Sequence, residues 1–266
     1  MSRLFRVVRN LNRLPEVWNA YRKIENWYGL TLRFLGMNNL EYPYQVKTRD
    51  GLLLLVQDFC DATTVWTVWC KEEYKVSQDA KVIVDLGANI GAFSIYAAHK
   101  SPSAHVISLE PFPSTFKKLV DNILLNGLEK RITCLSYAIS DKRDNRTMLS
   151  TEFGSATNRL LEVGDTEHQD TLEISCMKFE DVLDIIQEKV FTRKVDLLKM
   201  DIEGAEHEVV PSLKSSDLSY VQDLQFEYHP SGSKDKLFDK LVTSNFKCIE
   251  DDNHAENYGY ARFVRR

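Results

Sequence analysis

The chain has 266 residues, of which 43% are hydrophobic and 27% charged, with 34 Lys and Arg side chains against 39 Asp and Glu side chains. This composition is typical of a globular protein and excludes a disordered chain, a collagen-like chain and a small disulfide-rich scaffold. The formal net charge of −5 argues against a protein whose main function is to coat duplex nucleic acid. The length predicts one larger α/β domain, alone or with an N-terminal extension.

The charge is unevenly distributed along the chain. Residues 1–35 carry seven basic and two acidic side chains, a net charge of +5, so that the remaining residues carry −10. Apolar residues in this basic segment recur at spacings of three and four, which predicts an amphipathic helix that Pro15 breaks or restarts. Two interpretations stay open: the segment contacts an anionic membrane surface, or it packs as a cap on the fold.

The cysteines and the hydropathy pattern indicate the cellular compartment. The five cysteines are odd in number and none has CxxC spacing, which favours reduced thiols over a zinc site or a disulfide framework. No stretch approaches ~18 uninterrupted apolar residues, and the N-terminus has no continuous apolar region of the kind found in signal peptides. We therefore expect a cytoplasmic protein, either free or peripheral at the membrane surface.

In chain order, a hairpin follows the N-terminal helix, because Asp50-Gly51 lies between two apolar runs. A further helix is predicted over residues 63–74. From Lys81 onward, short apolar strands alternate with helices, which is typical of a doubly wound α/β sheet. The last two strands have no helix between them and predict an antiparallel pair at the end of the sheet. We assign residues 1–80 to an N-terminal helix and hairpin extension and residues 81–266 to the main domain.

The first chemical motif is VIVDLGANIGAFS, a buried strand that ends near Asp85 and turns into a helix. Glycines in such a turn allow close approach of a ligand to the backbone, and a helix N-terminus offers free amide donors. Asp85 would suit an ammonium group and the loop amides a carboxylate. The G-x-x-x-G spacing of Gly87 and Gly91 does not fit the G-x-G-x-x-G pattern of dinucleotide sites. A tight turn without a ligand is the competing interpretation.

The second motif is LEPF, in which Glu110 ends the next strand. An acidic residue about 20 positions beyond the glycine loop is well placed to accept hydrogen bonds from ribose hydroxyls. Taken alone, a glutamate at a strand end is more often a solvated turn residue. Together with the loop, it predicts a cofactor that contains adenosine at the carboxyl edge of a parallel sheet.

Two further motifs bring carboxylates and a histidine to strand ends. LLKMDIEGAE places Asp201 and Glu203 after a buried strand, where one of them could act as a general base; we interpret Glu206 as an acid that favours the helix N-terminus. In LQFEYHP, Glu227 and His229 alternate by two and share one face of a strand. Asp201, Glu227 and His229 form an alternative oxygen and nitrogen set for a metal ion.

These blocks in this order resemble the FkbM family of S-adenosylmethionine-dependent methyltransferases. The matching stretches are VIVDLGANIGAFSIYAA, ISLEPFPSTFKKLVDNILLNGL, CLSYAISD, LLKMDIEGAEHEVV and LQFEYHP, and EYPYQVKTRDGLLLL also resembles the hairpin that often precedes the core in this family. The resemblance implies a Rossmann-like class I methyltransferase fold, an α/β fold with a seven-stranded sheet whose last strand is antiparallel. The family often carries the same Asn89 in place of the glycine of the general class motif.

The resemblance also implies roles for individual residues. The loop around the methionine part of S-adenosylmethionine would consist of Asp85, Gly87, Ala88, Asn89 and Gly91. Glu110 would hold the ribose hydroxyls, with Phe112 and Ala138 near the adenine. Asp201 would face the methyl group and the acceptor, with Glu203 and His229 nearby.

The implied reaction is O-methylation of a sugar or glycan hydroxyl, with S-adenosylhomocysteine as the product. Methylation of a polyketide-like small molecule stays open, and a nicotinamide-dependent oxidoreductase or a non-catalytic binding module are the competing classes. The acidic main domain disfavours a nucleic-acid acceptor, and the chain lacks the [DNS]-P-P-[YFW] block of amino-methylating enzymes.

Overall fold

The computed structural model describes residues 13–36, 40–149 and 171–266. The chain divides into two compact units, one ending at Lys75 and the other beginning at Val76. Among these described residues, no helix has the length and apolar character needed to cross a membrane. Arg3, Arg6 and Arg9 of the basic segment lie outside the described residues, as do residues 150–170.

The first unit contains helices and one antiparallel hairpin. Pro15 lies in the first turn of the first helix, where its missing N–H has no intrahelical partner to lose, so it begins this helix. The helix predicted over residues 63–74 begins earlier, because the Asp58 carboxylate caps it by accepting a hydrogen bond from the Asp61 amide at 2.8 Å. The elements are α1 (Leu14–Lys23), α2 (Trp27–Phe34), β1 (Tyr44–Lys47), β2 (Leu53–Val56) and α3 (Phe59–Trp66), which continues as a π-helical turn (Thr67–Lys71).

The second unit is built on a seven-stranded sheet in the order β11-β12-β10-β9-β3-β4-β5. The five consecutive strands β10, β9, β3, β4 and β5 run parallel to one another, whereas β12 is antiparallel to both of its neighbours, β10 and β11. The strands are β3 (Val82–Leu86), β4 (His105–Leu109), β5 (Ile132–Leu135), β9 (Val195–Met200), β10 (Val221–Tyr228), β11 (Phe246–Ala255) and β12 (Tyr258–Arg265). The predicted seven-stranded sheet with an antiparallel last strand is confirmed.

The last strand does not lie at the edge of the sheet. β12 inserts between β10 and β11, so the preceding strand β11 is the edge strand. β11 is also the more exposed of the two, with a continuous run of exposed residues from Glu250 to Ala255, whereas β12 buries Gly259, Tyr260 and Ala261. Sequence alone predicts the antiparallel pair but not which member pairs with the parallel strands.

The parallel strands are apolar along their length because helices cover both faces of the sheet. All five residues of β3 are buried, and five of the six residues of β9 are buried, one of them a lysine. The helices of this unit are α4 (Ala92–Lys100), α5 (Pro113–Leu125), α6 (Phe179–Val190), α7 (Glu206–Ser212), α8 (Ser215–Leu218) and α9 (Lys234–Thr243). The buried faces of α6, α7, α8 and α9 form one continuous core cluster with the strands.

The segment RITCLSYAIS, residues 131–140, divides between the main sheet and a small second sheet. The first part of that segment is β5 of the main sheet, whereas β6 (Ala138–Ile139) pairs in parallel with β8 (Thr171–Met177). β7 (Asn145–Leu149) pairs with the other side of β8 in antiparallel register. The chain therefore leaves the main sheet at Ser136-Tyr137 and crosses toward the carboxyl edge of the sheet.

Buried apolar contacts at the centre of the sheet should carry much of the stability of the second unit. Leu198 is fully buried in β9, in register with Val84 and Leu224 on the two neighbouring strands. We expect Leu198→Ala to lower the free energy of unfolding by about 2–5 kcal/mol, because it removes buried contacts and leaves a cavity. Leu124→Ala, at a side chain that is 56% exposed, is the matched control. Urea unfolding followed by circular dichroism measures both, and equal effects would contradict this assignment of the core.

Candidate active site

The parallel register brings the ends of four strands to one edge of the sheet. Leu86 at the end of β3 is in register with Leu109 of β4 on one side and Met200 of β9 on the other. Phe226 of β10 is in turn in register with Met200. The segments that follow these strands therefore emerge side by side, and they contain all four chemical motifs of the sequence.

The loop between β3 and α4 lies directly against the end of β9. Gly87 has a φ of 77°, and its amide donates a hydrogen bond to the Leu109 carbonyl at 3.0 Å. A Cβ at this position would lie 1.8 Å from the backbone oxygen of Asp201, far inside van der Waals contact. Glycine is required here both by the backbone conformation and by the close approach of the two segments. The packing fixes the loop next to Asp201.

Glu110 is connected to the same loop by backbone hydrogen bonds. Its carboxylate accepts from the Asn89 amide at 2.9 Å and from the Phe112 amide at 3.1 Å. Burial raises the pKa of Glu110 to about 7, against the lowering effect of these two donors and of Lys199. An ionised carboxylate offers about four lone-pair sites, so two remain for further donors. Glu110 therefore has the chemistry that a ribose diol requires.

An apolar surface lies next to Glu110 along the chain. Phe112, 6% exposed, packs with Ile174 of β8, and Ala138 and Leu172 pack against the same cluster. Phe112 and Ala138 are thus brought together although 25 residues separate them in the sequence. A flat aromatic ligand such as adenine could pack on a surface of this kind.

Asp85 is fully buried and holds a cation that belongs to the chain itself. The Lys199 ammonium lies 3.1 Å from the Asp85 carboxylate and donates to the Gly87 carbonyl at 2.7 Å. Ser94 donates to the other Asp85 oxygen at 2.6 Å. Burial alone would lower the pKa of Lys199, but the charges of Asp85 and Asp201 outweigh it and raise the pKa. The ammonium expected at Asp85 from the sequence is, in this structure, the one of Lys199.

Asp201, Glu227 and His229 lie together where β9 and β10 end: Asp201 follows β9, Glu227 is the second-last residue of β10, where that strand still pairs with β12, and His229 follows β10. One ligand-type atom of each lies within 4.8 Å of those of the other two, and all three side chains are half-buried. Glu203 follows Asp201 in a turn with a φ of 54°, and its carboxylate lies 3.5 Å from Nε2 of His229. The catalytic residues predicted from the sequence are therefore brought into one cluster.

Glu206 is the first residue of α7, as the sequence analysis expects, but its carboxylate has a further role that the sequence analysis does not assign. It is fully buried, and its carboxylate accepts hydrogen bonds from the backbone amide of His229 at 2.6 Å and from Nδ1 at 2.9 Å. Its second oxygen accepts from the Gly204 amide at 2.9 Å. Its position three and four residues before the buried Val209 and Val210 predicts the apolar face of α7, and this signal was available in the sequence.

The carboxylates around His229 determine its protonation. Burial by itself would lower the pKa of His229, but the hydrogen bond to Glu206 and the charges of Glu206, Asp201 and Glu203 outweigh it and raise the pKa to about 9. His207 supports the same segment, because its Nε2 donates a hydrogen bond to the His229 carbonyl at 2.7 Å. The cluster thus combines an orienting carboxylate, an imidazole and further acidic groups at a half-buried edge.

Comparison with known proteins identifies the family of the chain. Residues 85–256, more than half of the chain, match the family described as the methyltransferase FkbM domain. The chain belongs to the FkbM methyltransferase family. It is an enzyme that transfers methyl groups, and the methyl donor of the family is S-adenosylmethionine.

Curated relatives of this FkbM methyltransferase are similar at moderate identity. Methyltransferase sdnD of Sordaria araneosa is 26% identical over 64% of this chain and 74% of its own length. Methyltransferase 1 of Beauveria bassiana is 28% identical over 56% of this chain and 65% of its own length. The chain therefore matches about two thirds of the second relative.

Solved structures show weaker similarity. TrmK of M. capricolum, solved with S-adenosylhomocysteine, is 10% identical with a TM-score of 0.42 and matches 71% of this chain and 64% of its own. The assignment of the fold depends on the strand order of this chain and on the family match, not on that likeness.

The buried pair of Lys199 and Asp85 should contribute strongly to stability. We expect Lys199→Met and Asp85→Asn each to lower the free energy of unfolding by about 3–5 kcal/mol, because each leaves its partner buried and uncompensated. The double variant should lose less than the sum of the two. All three are measured by urea unfolding.

The control for this prediction is the exposed pair of Lys117 and Asp121 on α5, whose side chains are 75% and 44% exposed. Lys117→Met should cost at most about 1 kcal/mol, as is usual for exposed ion pairs. If Lys199→Met costs no more than Lys117→Met, the buried pair does not have the stabilising role assigned to it.

Proposed function

We propose that this enzyme methylates a hydroxyl group of a sugar or glycan acceptor at the carboxyl edge of its sheet. The observation that carries the proposal is the cluster of Asp201, Glu203 and His229 directly beside the Gly87 loop. It combines groups that can accept a hydroxyl proton with a group that can orient the acceptor, next to the loop that the family uses for its cofactor.

The cofactor would occupy the loop and the surface beside it. Glu110 would accept hydrogen bonds from the ribose hydroxyls, and Phe112 and Ala138 would contact the adenine. The turn that includes Gly87, Ala88, Asn89 and Gly91 would surround the methionine part. Asp85 would support this turn indirectly, because it holds the Lys199 ammonium that donates to the Gly87 carbonyl. When bound, S-adenosylmethionine supplies a methyl group carried on a sulfonium, and the sulfur becomes the neutral thioether of S-adenosylhomocysteine once the methyl group is transferred.

The chain's own residues would position the acceptor and remove its proton. Asp201 or Glu203 would accept the hydroxyl proton as the oxygen bonds to the methyl carbon, which is general-base chemistry. His229, fixed through Nδ1 by Glu206, would present Nε2 to the acceptor. Because the methyl donor is already activated, much of the rate enhancement can come from this positioning.

Several features support an oxygen acceptor on a polyhydroxylated molecule. The strand end carries MDIE where amino-methylating enzymes carry [DNS]-P-P-[YFW]. Carboxylate oxygens and an imidazole nitrogen are suitable partners for sugar hydroxyls. A polyketide-like metabolite is the second candidate acceptor, and residues 1–35, with their net charge of +5, would bring the enzyme to a membrane if the glycan is lipid-linked.

The ribose assignment predicts pH-dependent cofactor binding. Because burial raises the pKa of Glu110 to about 7, the carboxyl group is largely neutral at pH 6 and ionised at pH 8. Two ribose hydroxyls donate better to the ionised form, so S-adenosylhomocysteine should bind more tightly at pH 8 than at pH 6. Calorimetry should show this difference for the native chain and its loss, with weaker binding, for Glu110→Gln.

The same titration affects folding in the opposite direction. The folded-state pKa of Glu110 lies above the ordinary value of 4.5, so its contribution to stability is complete below that value and is lost as the pH rises through about 7.

NAD at equal concentration is the ligand control for the calorimetry and should produce no heat of binding. An affinity for S-adenosylhomocysteine that is unchanged in Glu110→Gln would contradict the ribose assignment.

The acceptor assignment predicts that Asp201 acts on transfer and not on cofactor binding. Protein with methyl-labelled S-adenosylmethionine is incubated with a panel of monosaccharides, nucleotide sugars, glycolipids, macrolides, amines and thiols. Asp201→Asn should lower the transfer rate by about 10²-fold or more, because a general base contributes typically that much. Affinity for S-adenosylhomocysteine should change little.

The control variant is Asp239→Asn, on the exposed side of α9, which should transfer methyl groups at the native rate. Full activity of Asp201→Asn would remove this residue from the mechanism. Labelling only of amine or thiol acceptors in the panel would sink the assignment to a hydroxyl.

A further inference from the structure

We propose that Asp201, Glu227 and His229 bind a divalent cation of the Mn²⁺ type, which holds the hydroxyl of the acceptor. This inference rests on the proposed function, because the cation would act on the same acceptor. It goes further by adding a metal to the site and by giving a role to Glu227.

The strand register places the three residues around one point. Asp201 directly follows Met200, which is in register with Phe226, so Asp201 and Glu227 are neighbours beyond the paired ends of β9 and β10. His229 lies two residues beyond Glu227 on the same segment. One atom of each residue lies within 4.8 Å of the other two. Atoms that share an ion at about 2.1 Å lie about 3–4 Å apart, so only a small contraction is needed.

The imidazole of His229 is already oriented as a metal ligand would be. In metal sites the second ring nitrogen of a histidine is usually bound to a carboxylate, which fixes the ring and the tautomer. Here the fully buried Glu206 carboxylate accepts hydrogen bonds from Nδ1 of His229 at 2.9 Å and from the His229 amide at 2.6 Å. Nε2 is thereby the nitrogen presented to the cluster. This arrangement is independent of the proximity of the three ligands.

The charges of the site also favour a cation. Four carboxylates surround the single imidazole, and the Lys199 ammonium, which lies 3.9 Å from Asp201, is closer to Asp85. Like charges at such distances repel, and a positive charge between them, from a bound ion or from a proton on His229, lowers that repulsion. The four are Asp201, Glu203, Glu206 and Glu227.

The ligand set selects the type of ion. Carboxylate oxygens suit Mg²⁺, Ca²⁺ and Mn²⁺, whereas an imidazole nitrogen favours transition metals. Two carboxylates and one imidazole therefore suit Mn²⁺ better than Mg²⁺. Three protein ligands leave coordination positions for water and for an acceptor oxygen, where the ion stabilises the negative charge that develops as the hydroxyl loses its proton.

The competing arrangement needs no metal. A proton on His229 would supply the positive charge, and Asp201 would then contact the acceptor directly. The two arrangements differ in a property that does not depend on activity, namely stoichiometric binding of a metal ion.

The experiment measures binding of Mn²⁺ to the full chain by electron paramagnetic resonance, in which free Mn²⁺ gives the signal and bound Mn²⁺ does not. The titration is made with and without saturating S-adenosylhomocysteine. We expect one equivalent to bind, and Glu227→Gln and His229→Gln each to weaken binding by at least about 10-fold. Glu129→Gln is the matched control, because Glu129 is exposed in the loop that precedes β5, at the opposite edge of the sheet.

Melting curves and calorimetric binding of S-adenosylhomocysteine verify that each variant is folded. No saturable binding of Mn²⁺ by the native chain overturns the inference, as does binding that neither Glu227→Gln nor His229→Gln weakens. If S-adenosylhomocysteine binds and methyl transfer persists in excess EDTA, the metal inference fails and the proposed function stands. If Mn²⁺ binds as expected and no hydroxyl acceptor is methylated, the proposed acceptor class fails and the metal site stands.

Discussion

The site depends on one close contact, that between the Gly87 turn and the end of β9. No side chain fits between them, since a Cβ on Gly87 would overlap the Asp201 carbonyl. The Lys199 ammonium spans the same contact, bound to the Gly87 carbonyl and to the buried Asp85 carboxylate. The glycine loop and the end of β9 are consequently held together by one buried pair of charges.

The parallel register converts this local contact into a complete site. Because β4, β3, β9 and β10 end at one edge, Glu110, the glycine loop, Asp201 and Glu227 emerge in that order across the sheet. Glu110 is joined to the loop by the Asn89 amide, and His229 is joined to α7 by Glu206. In the proposed function, the site therefore divides into a cofactor side and an acceptor side, with the buried lysine between them.

Each side contains a carboxyl group whose burial changes its chemistry. Burial raises the pKa of Glu110 into the neutral range, which in the proposed function links cofactor affinity to pH. Glu206 is equally buried, but its partners are the imidazole and amide of His229, so its burial serves to orient a neighbouring group. Residues of the same type thus have different roles on the two sides, and the difference comes from the hydrogen-bond donors that each one meets.

Sequence by itself determined the order of the elements and the positions of the chemical motifs, because strand periodicity, glycine turns and strand-end acids are local patterns. It predicted the parallel sheet, the antiparallel last strand and the residues Glu110, Asp201 and His229. It did not reveal the pairing of Lys199 with Asp85, the hydrogen bonds from His229 to Glu206 or the insertion of β12 beside β10. These features join segments that are far apart in the chain, so only tertiary packing decides which buried charges meet and which strand closes the sheet.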